Sequence, residues 1–368
     1  FLVKMGARVS YYIPERQSEG YGLNLEALEH IISDGASLVI TVDCGISSYD
    51  IVEAVCDRID IIITDHHTAP PQIPPARAVI NHKQPDCPYT DKNLSGVGVA
   101  FKLCQALWLR QCGEWYLDDL DIVALGTVAD VVPLVGENRI IVQAGLKKMN
   151  ELPNLGIDKL IDVAGLHDKT ITAGHIGFTL APRLNAAGRV THATRAVELL
   201  VTDDVDLAET IAQELQETNM ERQEIERSIH EEARANVAAQ GHLAGYVTVV
   251  AGENWHPGVI GIVASRLVEE FYKPTLVISI DNGVGKGSCR SIEGFNIYNA
   301  LKFCEDILIQ FGGHAAAAGF SIDASRIDEL RQRLTEYCKA HVSPDEYIPV
   351  VSIDATLPVD DIDVDIVD

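Results

Sequence analysis

The segment IDIIITDHH, residues 59–67, decides the fold of the first part of this chain. Its first six residues form a mostly apolar, β-branched run of the kind that is buried on both faces of a parallel sheet. The run ends by releasing an aspartate and two histidines together, Asp65, His66 and His67. Such a cluster costs stability unless something binds it, and a divalent metal ion is the usual reason for it. The segment therefore predicts a strand that ends in a metal site.

Short β-branched runs alternate with helical periodicity on both sides of this segment. Strands are predicted at 8–13, 38–42, 59–64 and 78–80, with the second and third in the middle of the sheet, and helices at 25–33 and 48–57. This spacing is typical of right-handed βαβ units and predicts a parallel sheet. Ligands of such sheets bind beyond the carboxyl ends of the strands, so Asp43 and Asp65, which each end a strand, are expected in one pocket. The alternative is that Asp43 only caps the next helix and Asp65 only opens a turn.

The remaining periodicity predicts a helical region, a long helix and a second domain. Helices are expected at 97–112, 116–129 and 138–150, and Asp130 directly follows the second of them. On its own, an acid at such a helix end is most simply a solvated terminus. Residues 205–238 contain neither Gly nor Pro and predict one helix of about 50 Å, which we interpret as a spacer rather than an oligomerisation zipper. The second domain is predicted from strands at 246–250, 274–280 and 285–290 and helices at 258–271, 296–309 and 325–341.

Composition limits the classes of function. The 368 residues suffice for two domains, and a net charge of −25 is expected to repel polyanions and attract divalent cations. Any nucleic-acid site must therefore be locally basic or neutralised by metal. The eight cysteines form no C-x-x-C pair, which favours a reducing cytoplasm, and no apolar run reaches the roughly 20 residues that span a bilayer. We expect a cytoplasmic protein without a membrane segment.

The residue types of the cluster indicate phosphoester hydrolysis. Aspartate and neutral histidine suit Mn²⁺ or Mg²⁺ better than a thiolate-preferring ion. Two such ions would clamp a phosphoryl group and make hydroxide available near neutral pH. Asp43 is the candidate for the carboxylate that bridges both ions.

The predicted second domain offers residues that suit an anionic ligand. Ser288 and Arg290 alternate on one strand and therefore share a face, where they could anchor a terminal phosphate. Gly312 and Gly313, followed by His314, let the backbone approach a phosphate. The same glycine- and alanine-rich stretch equally suits the start of a helix packed on a sheet.

Other candidate contacts lie in the first domain. Arg183, Arg189 and Arg195 form a positive patch in the sequence, although surface arginines are usually only solvated. Arg16 and Tyr21 follow the first predicted strand on the same side as the metal cluster. A tyrosine there could stack on a base, an interaction of about 1–3 kcal/mol in single-strand binders.

These segments together resemble the RecJ family of single-strand-specific exonucleases, within the DHH phosphoesterase superfamily. Ten motifs in order carry the resemblance: IPERQSEGYGL, TVDCGIS, TDHH, VINHKQPDCPY, SGVGVAFKL, ALGTVADVVPL, APRLNAAGR, HPGVIGIVASRL, GSCRSIEGFN and FGGHAAAAGF. The resemblance implies an α/β fold with a parallel-sheet DHH domain at 1–204, a long connecting helix at 205–240 and a smaller α/β DHHA1 domain at 241–342. A linker and the start of an OB-fold are then expected at 343–368.

The resemblance also implies the activity and the residues that perform it. The expected reaction is 5′→3′ hydrolysis of single-stranded DNA to mononucleotides, in DNA repair and recombination, with Mn²⁺ or Mg²⁺ in a two-metal site. Asp43, His66 and Asp130 are implied as metal ligands, which reverses the simple interpretation of Asp130, with Asp65 and His67 beside them as catalytic groups. The implied nucleic-acid contacts are Arg16, Tyr21, Arg183, Asn185, Arg189, Ser288, Arg290, Gly312, Gly313 and His314.

Two further expectations follow from this resemblance. The family's first motif, a pair of aspartates, should stand upstream of Phe1, so we expect the sequence to be a fragment in which one ion is under-liganded. Partners from the DNA-repair machinery are compatible with the family. The alternatives are a DHH phosphodiesterase for short oligonucleotides or cyclic dinucleotides, and a non-catalytic nucleic-acid-binding module.

Overall fold

The computed structural model describes residues 1–14, 22–190, 192–239, 245–351, 353, 355–359 and 362. The chain divides into two compact units, Phe1–Arg222 and Gln223–Asp368. Among the described residues, no helix combines the length and the apolar character needed to cross a membrane.

A three-stranded parallel sheet forms the start of the first unit. Its strands are β1 (Leu38–Val42), β2 (Asp60–Thr64) and β3 (Ala78–Ile80), paired in that order. The helices of this unit are α1 (Leu25–Ser33), α2 (Tyr49–Glu53), α3 (Gly96–Cys112), α4 (Leu120–Ala129), α5 (Gly136–Glu151), α6 (Leu155–Val163), α7 (Ala173–His175), a π-helical turn (Ile176–Leu180), α8 (Ala181–Val190) and α9 (Thr194–Val201). The predicted parallel sheet is confirmed.

Strand β2 supplies the core of this sheet. Ile61 and Ile63 are fully buried and pack with Leu28 of α1 and Val52 of α2. Because every second side chain of a strand points to the same face, these two isoleucines hold one face of β2 on the helices.

Two predictions about the neighbouring strands are wrong. Residues 8–13 form no strand, and most of their side chains are exposed. Strand β1 pairs only with β2 within the described part of the chain, so it is an edge strand rather than a central one. Its terminal side chains, Leu38 and Val42, are accordingly exposed. An apolar run has the same composition at an edge as in the middle of a sheet, and only the pairing partners distinguish the two positions.

A helix of 35 residues, α10 (Val205–Ala239), runs from the first unit into the second. Its first half buries apolar side chains in the core of the first unit, among them Ile211 and Leu215. Its second half buries Ile229 and Val237 in the core of the second unit. The prediction of one continuous helix is confirmed.

The second unit contains a five-stranded mixed sheet in the order β4-β5-β6-β8-β7. Its strands are β4 (Thr248–Glu253), β5 (Thr275–Asp281), β6 (Val284–Arg290), β7 (Leu308–Gly313) and β8 (Ala317–Asp323), and its helices are α11 (Ile260–Phe271), α12 (Ile297–Phe303) and α13 (Ile327–His341). Only the β4–β5 pair is parallel. The predicted smaller α/β domain is confirmed.

Two of these strands, β7 and β8, were not predicted. The helix expected at 296–309 ends at Phe303, and the glycine- and alanine-rich stretch is a hairpin rather than the start of a helix. All seven residues of β8 pair with β6. Alanine favours helices locally, but this pairing and the packing of Phe320 over Gly287 outweigh that preference.

The end of the chain was expected to begin an OB-fold. A short 3₁₀ turn occupies Pro344–Tyr347. The described residues between 350 and 357 are exposed and lie in no strand. The OB-fold therefore stays a prediction.

A buried carboxylate joins three helices of the first unit. Asp121 of α4 is fully buried, pairs with Lys148 of α5 at 2.8 Å and accepts a hydrogen bond from the Asn154 amide, before α6, at 2.6 Å. Removing it would leave this amide and the ammonium without their acceptor. We expect Asp121→Ala to lower the free energy of unfolding by about 3 kcal/mol, measured by urea denaturation.

The matched control is Asp118→Ala. Asp118 also pairs with a lysine, Lys4, at 3.3 Å, but both side chains are at least half exposed. Exposed pairs contribute little to stability, so this change should leave the urea midpoint nearly unchanged. Equal losses from the two changes would contradict a structural role for the buried pair.

Candidate metal centre

The site forms where β1 and β2 end. The Asp43 amide donates to Thr64 O at 2.9 Å, and the Asp65 amide donates to Ile80 O at 3.1 Å, so the ladder continues beyond the last strand residues. His66 follows directly. The carboxyl ends of adjacent parallel strands thus lie side by side, as expected for a ligand site in an α/β sheet.

Four of the predicted side chains converge at this edge. His66 Nε2 lies 3.0 Å from Asp43 Oδ1 and 3.5 Å from Asp130 Oδ2. His67 Nδ1 lies 4.0 Å from Asp43 Oδ1. Asp130 reaches the site from the C-terminal cap of α4, which is far away in sequence. Asp43, His66 and His67 each offer one ligand atom, and these atoms lie within 4.8 Å of one another.

Asp65 is a buried residue that holds the neighbouring groups of the site by hydrogen bonds. Its side chain is 1% exposed, and its carboxylate accepts hydrogen bonds from the amides of Ile46, His66 and His67 and from His67 Nδ1 at 2.7 Å. Burial alone would raise the pKa of Asp65, but these hydrogen bonds outweigh it and lower that pKa. The side-chain hydrogen bond between Asp65 and His67 Nδ1 is also the main cause that raises the pKa of His67. Asp65 therefore orients His67 and stays ionised.

The backbone at the site adopts rare conformations. Asp43 has φ +63° and Val131, the residue after Asp130, has φ +60°. Left-handed backbone costs a residue with a Cβ roughly 1–2 kcal/mol. Such strain is most often found at functional sites, where the surrounding structure holds it in place. Of the two carboxylates that face His66, Asp43 is thus itself strained, and Asp130 directly precedes a strained residue.

Gly96, the first residue of α3, allows Asp43 to sit where it does. A Cβ on Gly96 would lie 2.5 Å from Asp43 Cγ and 2.6 Å from Asp43 Cβ, which is closer than any real contact. The start of a helix carries partial positive charge, so this close approach also favours the carboxylate. The sequence analysis missed this residue; its only signal is the pair of glycines in SGVG at a helix start.

The donor set fits a divalent ion of the Mn²⁺ or Mg²⁺ type. It consists of carboxylate oxygens and imidazole nitrogens. Burial is the main cause that raises the pKa of Asp130, and the negative charge of Asp43 adds to it. A cation between the two carboxylates would remove this repulsion. Burial also raises the pKa of the neighbouring Cys44 thiol to about 11.

Two predicted anchor residues of the second unit lie in contact. Arg290 Nη1 donates to Ser288 Oγ at 3.3 Å, which places both side chains on one face of β6 as expected. A Cβ on Gly261, in the first turn of α11, would lie 3.0 Å from Ser288 Oγ and 3.1 Å from Arg290 Nη2. Arg290 is only partly exposed, and burial lowers its pKa. The helix start, hydroxyl and guanidinium form a compact group that suits an anion.

The remaining predicted contacts are more scattered. Gly312, Gly313 and His314 are exposed at the turn between β7 and β8. Arg16 and Tyr21 lie outside the described residues.

The predicted arginine patch is not uniformly positive. Arg195 pairs with Glu198 and Glu214, each at 2.6 Å, so its charge is balanced. Arg183 donates to Thr179 O at 2.5 Å and to Gln216 at 2.7 Å. Asn185 and Arg189 lie on the same helix, α8.

Phe178 is a residue that the sequence analysis missed. It lies in the π-helical turn before α8 and is 89% exposed. Its neighbour Gly177 lies against Val128 near the end of α4, two residues before Asp130. An exposed aromatic ring on a turn that packs against α4 suits stacking on a base. Only the tertiary structure distinguishes it from the buried apolar residues of the same turn.

Comparisons with known proteins find two family models and several relatives that match the chain. Residues 1–127 match the DHH family N-terminal domain, and residues 243–340 match the DHHA1 domain. The single-stranded-DNA-specific exonuclease RecJ of Bacillus subtilis is 44% identical over 99% of this chain, and that of Escherichia coli is 38% identical over 92%. The chain spans 46% and 62% of the length of these two proteins.

Solved structures agree with the sequence relatives. The crystal structure of an exonuclease RecJ bound to manganese matches with a TM-score of 0.81 and 34% identity, covering 94% of this chain and 86% of that one. RecJ from Thermus thermophilus in complex with Mn²⁺ matches with a TM-score of 0.81 and 32% identity, covering 92% of this chain and 49% of that one.

The contact between Gly96 and Asp43 can be tested directly. We expect Gly96→Ala to displace the Asp43 carboxylate and to weaken Mn²⁺ binding by about 10- to 100-fold, the range seen when groups that support metal ligands are changed. The measurement is calorimetric titration of the chain with MnCl₂. Gly98→Ala is the control, because a Cβ there would lie 3.2 Å from Ser95 Oγ and 3.5 Å from Leu94, which small shifts can accommodate. Equal Mn²⁺ affinities for the two variants would contradict the steric argument.

Proposed function

This chain belongs to the RecJ family of DHH phosphoesterases, and from this membership we propose that it is a metal-dependent 5′→3′ exonuclease of single-stranded DNA. It would release mononucleotides and act in DNA repair and recombination. The observation that carries the proposal is the convergence of Asp43, His66 and Asp130 at one sheet edge. His66 Nε2 lies 3.0 Å from Asp43 Oδ1 and 3.5 Å from Asp130 Oδ2. Local sequence explains each residue separately, but a divalent-ion site explains why they meet.

Asp43, His66 and Asp130 would hold the ion, Mn²⁺ or Mg²⁺. When bound, such an ion stabilises negative charge on a phosphoryl oxygen and lowers the pKa of bound water. The support from relatives is that the matched RecJ structures contain manganese. Asp43 and Asp130 supply the negative charge that the ion needs, and the partly buried site limits competition from water.

The other residues of the centre would position the substrate. The buried Asp65 fixes the ring of His67 through the 2.7 Å bond to Nδ1. His67 is about one-third exposed, so it can contact a phosphodiester bound at the ion site. Because Asp65 is buried and its oxygens already accept four hydrogen bonds, it acts through His67 and not by touching the substrate.

We also propose that Arg290 and Ser288 anchor the 5′-terminal phosphate. A guanidinium beside a hydroxyl and a helix start offers several donors to one anion. A charged anchor for the terminal phosphate would favour attack from the 5′ end. Gly312, Gly313, His314, Arg183, Asn185 and Arg189 stay proposed contacts along the strand, together with Arg16 and Tyr21.

Single-stranded DNA must reach a chain with a net charge of −25. Metal and arginine side chains would neutralise the phosphates locally, while Phe178 offers a sequence-tolerant stacking surface. The proposed partners are therefore single-stranded DNA and, through the family, other proteins of DNA repair. The proposed compartment is the cytoplasm.

The metal-ligand assignment predicts the effect of two isosteric changes. We expect Asp43→Asn and Asp130→Asn each to lower the rate of mononucleotide release from 5′-phosphorylated single-stranded DNA in MnCl₂ by at least about 100-fold, because an amide does not balance the charge of the ion. The measurement is product release resolved by length on a denaturing gel. Asp168→Asn, at an exposed position of the same unit, should leave the rate unchanged.

Two outcomes of that assay would count against the proposal. Parental rates in both variants would reject the site. Activity that disappears as the oligonucleotide is lengthened would favour the phosphodiesterase for short oligonucleotides.

The phosphate anchor predicts a change in end preference. We expect Arg290→Ala to reduce the ratio of the rates on 5′-phosphorylated and 5′-hydroxyl DNA by about 10-fold or more, because a charge-assisted contact of roughly 1.5–3 kcal/mol is lost. Arg326→Ala is the control, since this arginine is partly exposed and pairs with Glu329 at 2.9 Å in the same unit. A fall in both rates by the same factor would place Arg290 in the general path of the strand instead.

A further inference from the structure

Nδ1 of His66, the ring nitrogen that does not face the two carboxylates, is buried and forms no hydrogen bond within the described part of the chain. Nε2 of this ring faces Asp43 and Asp130, whereas Nδ1 has no hydrogen-bond partner among the residues that the structure describes. A histidine that binds metal through one nitrogen almost always donates the N–H of the other to a nearby acceptor. That bond selects the tautomer and holds the ring in place. The site thus lacks an identified acceptor for His66.

A second buried histidine has the complementary group. His82 is 5% exposed, and its Nε2 lies 3.0 Å from Lys92 O. A carbonyl oxygen only accepts hydrogen bonds, so Nε2 of His82 carries the proton. In the neutral ring Nδ1 is then an acceptor, and it too has no partner among the described residues. A doubly protonated ring would instead bury a charge and an unused donor.

The sheet brings His66 and His82 to matching positions on neighbouring segments of the chain. Thr64 pairs with Ile80 as the last pair of the β2–β3 ladder, so His66 and His82 each follow that pair by two residues. The Asp65 amide continues the ladder to Ile80 O, and the side-chain amide of Asn81 donates to His67 O at 2.9 Å. Adjacent strands lie about 4.8 Å apart, which is within reach of two imidazoles. Burial is the main cause that lowers the pKa of His82, and the nearby His66 contributes to that lowering.

We propose that His82 is a positioning residue for the metal centre: its Nδ1 accepts a hydrogen bond from Nδ1–H of His66 through one bridging water, and so presents Nε2 to the ion. This inference rests on the proposed function, because it takes His66 as a metal ligand. It assigns a task to a residue that neither ligates the ion nor reaches the substrate.

His82 is held firmly enough to perform this task. Its ring bonds to Lys92 O, and Lys92 Nζ donates in return to His82 O at 2.5 Å and to Cys87 O at 2.9 Å. This reciprocal clamp holds both the backbone and the ring. An acceptor that does not move can fix the orientation of the ligand that donates to it.

Two substitutions separate the two nitrogens of His82. The Oδ1 of Asn occupies roughly the place of Nδ1, whereas the side-chain amide of Gln reaches roughly the place of Nε2. His82→Asn therefore keeps the acceptor for His66 and loses the bond to Lys92 O. His82→Gln keeps that bond and loses the acceptor. If His82 only holds the loop, His82→Asn should be the more damaging change. If His82 holds the metal ligand, His82→Gln should weaken Mn²⁺ binding more.

The experiment titrates the chain and both variants with MnCl₂ by calorimetry and measures thermal unfolding of each without metal. We expect His82→Gln to weaken Mn²⁺ binding by about 10- to 100-fold with little change in melting temperature. His82→Asn should bind Mn²⁺ within about threefold of the parent and melt at a lower temperature, because it loses the bond to Lys92 O.

The outcomes distinguish this inference from the proposed function. Parental Mn²⁺ affinity in His82→Gln, or equal weakening in both variants, would overturn the role of His82 and leave the metal site standing. A parent chain that binds no Mn²⁺ would overturn the proposed metal site and this inference with it.

Discussion

The constraint on which the candidate site depends is the approach of two carboxylates, Asp43 and Asp130, to one imidazole, His66, at 3.0 and 3.5 Å. Asp43 and Asp130 repel each other across His66, and backbone hydrogen bonds from Asp43 to Thr64 O and from Asp130 to Gly126 O hold each residue in place. Folding brings them together only because the sheet, α3 and α4 are tied to each other. Ser95 Oγ at the start of α3 lies 3.0 Å from Thr127 Oγ1 of α4, so the helix that crowds Asp43 is bonded to the helix that ends at Asp130. A divalent cation turns this electrostatic cost into binding free energy.

Each group around this centre restricts the position of one of its side chains. The left-handed backbone of Asp43 aims its carboxylate, and Gly96 leaves the space for it. Asp65 holds His67 through two hydrogen bonds, and the clamp between His82 and Lys92 holds a second buried ring whose charge His66 influences. Geometry of this kind reduces the reorganisation needed when a charged phosphodiester binds. The second unit adds a separate anion group, built on β6 and the first turn of α11.

Much of the fold could be predicted because its signals are local. The apolar run of β2, the Gly- and Pro-free stretch of α10 and the periodicity of α3, α5, α11 and α13 each indicate their element within a residue or two. The predictions failed where pairing decides the outcome. Ala317 and Ala318 favour a helix by propensity, yet they form a strand because β6 offers a full row of backbone partners. The strand expected at 8–13 has no such partner among the described residues. Asp43 and the Asp65–His67 segment meet because residues that end neighbouring parallel strands must lie at one edge.

The sequence by itself determined the chemistry of this protein: which carboxylates and imidazoles are available, and that Asp43 and Asp65–His67 follow strands. Those properties reside in residue type and in spacing along the chain. Only the tertiary structure decided that Asp130 joins them, that Asp65 is buried and bonded to His67, and that Gly96 touches Asp43. The contacts of Asp130 and Gly96 join residues far apart along the chain, and their distances are set by how helices pack on the sheet. No local pattern carries that information, because the same residues in another packing would be ordinary caps, turns and solvated ends.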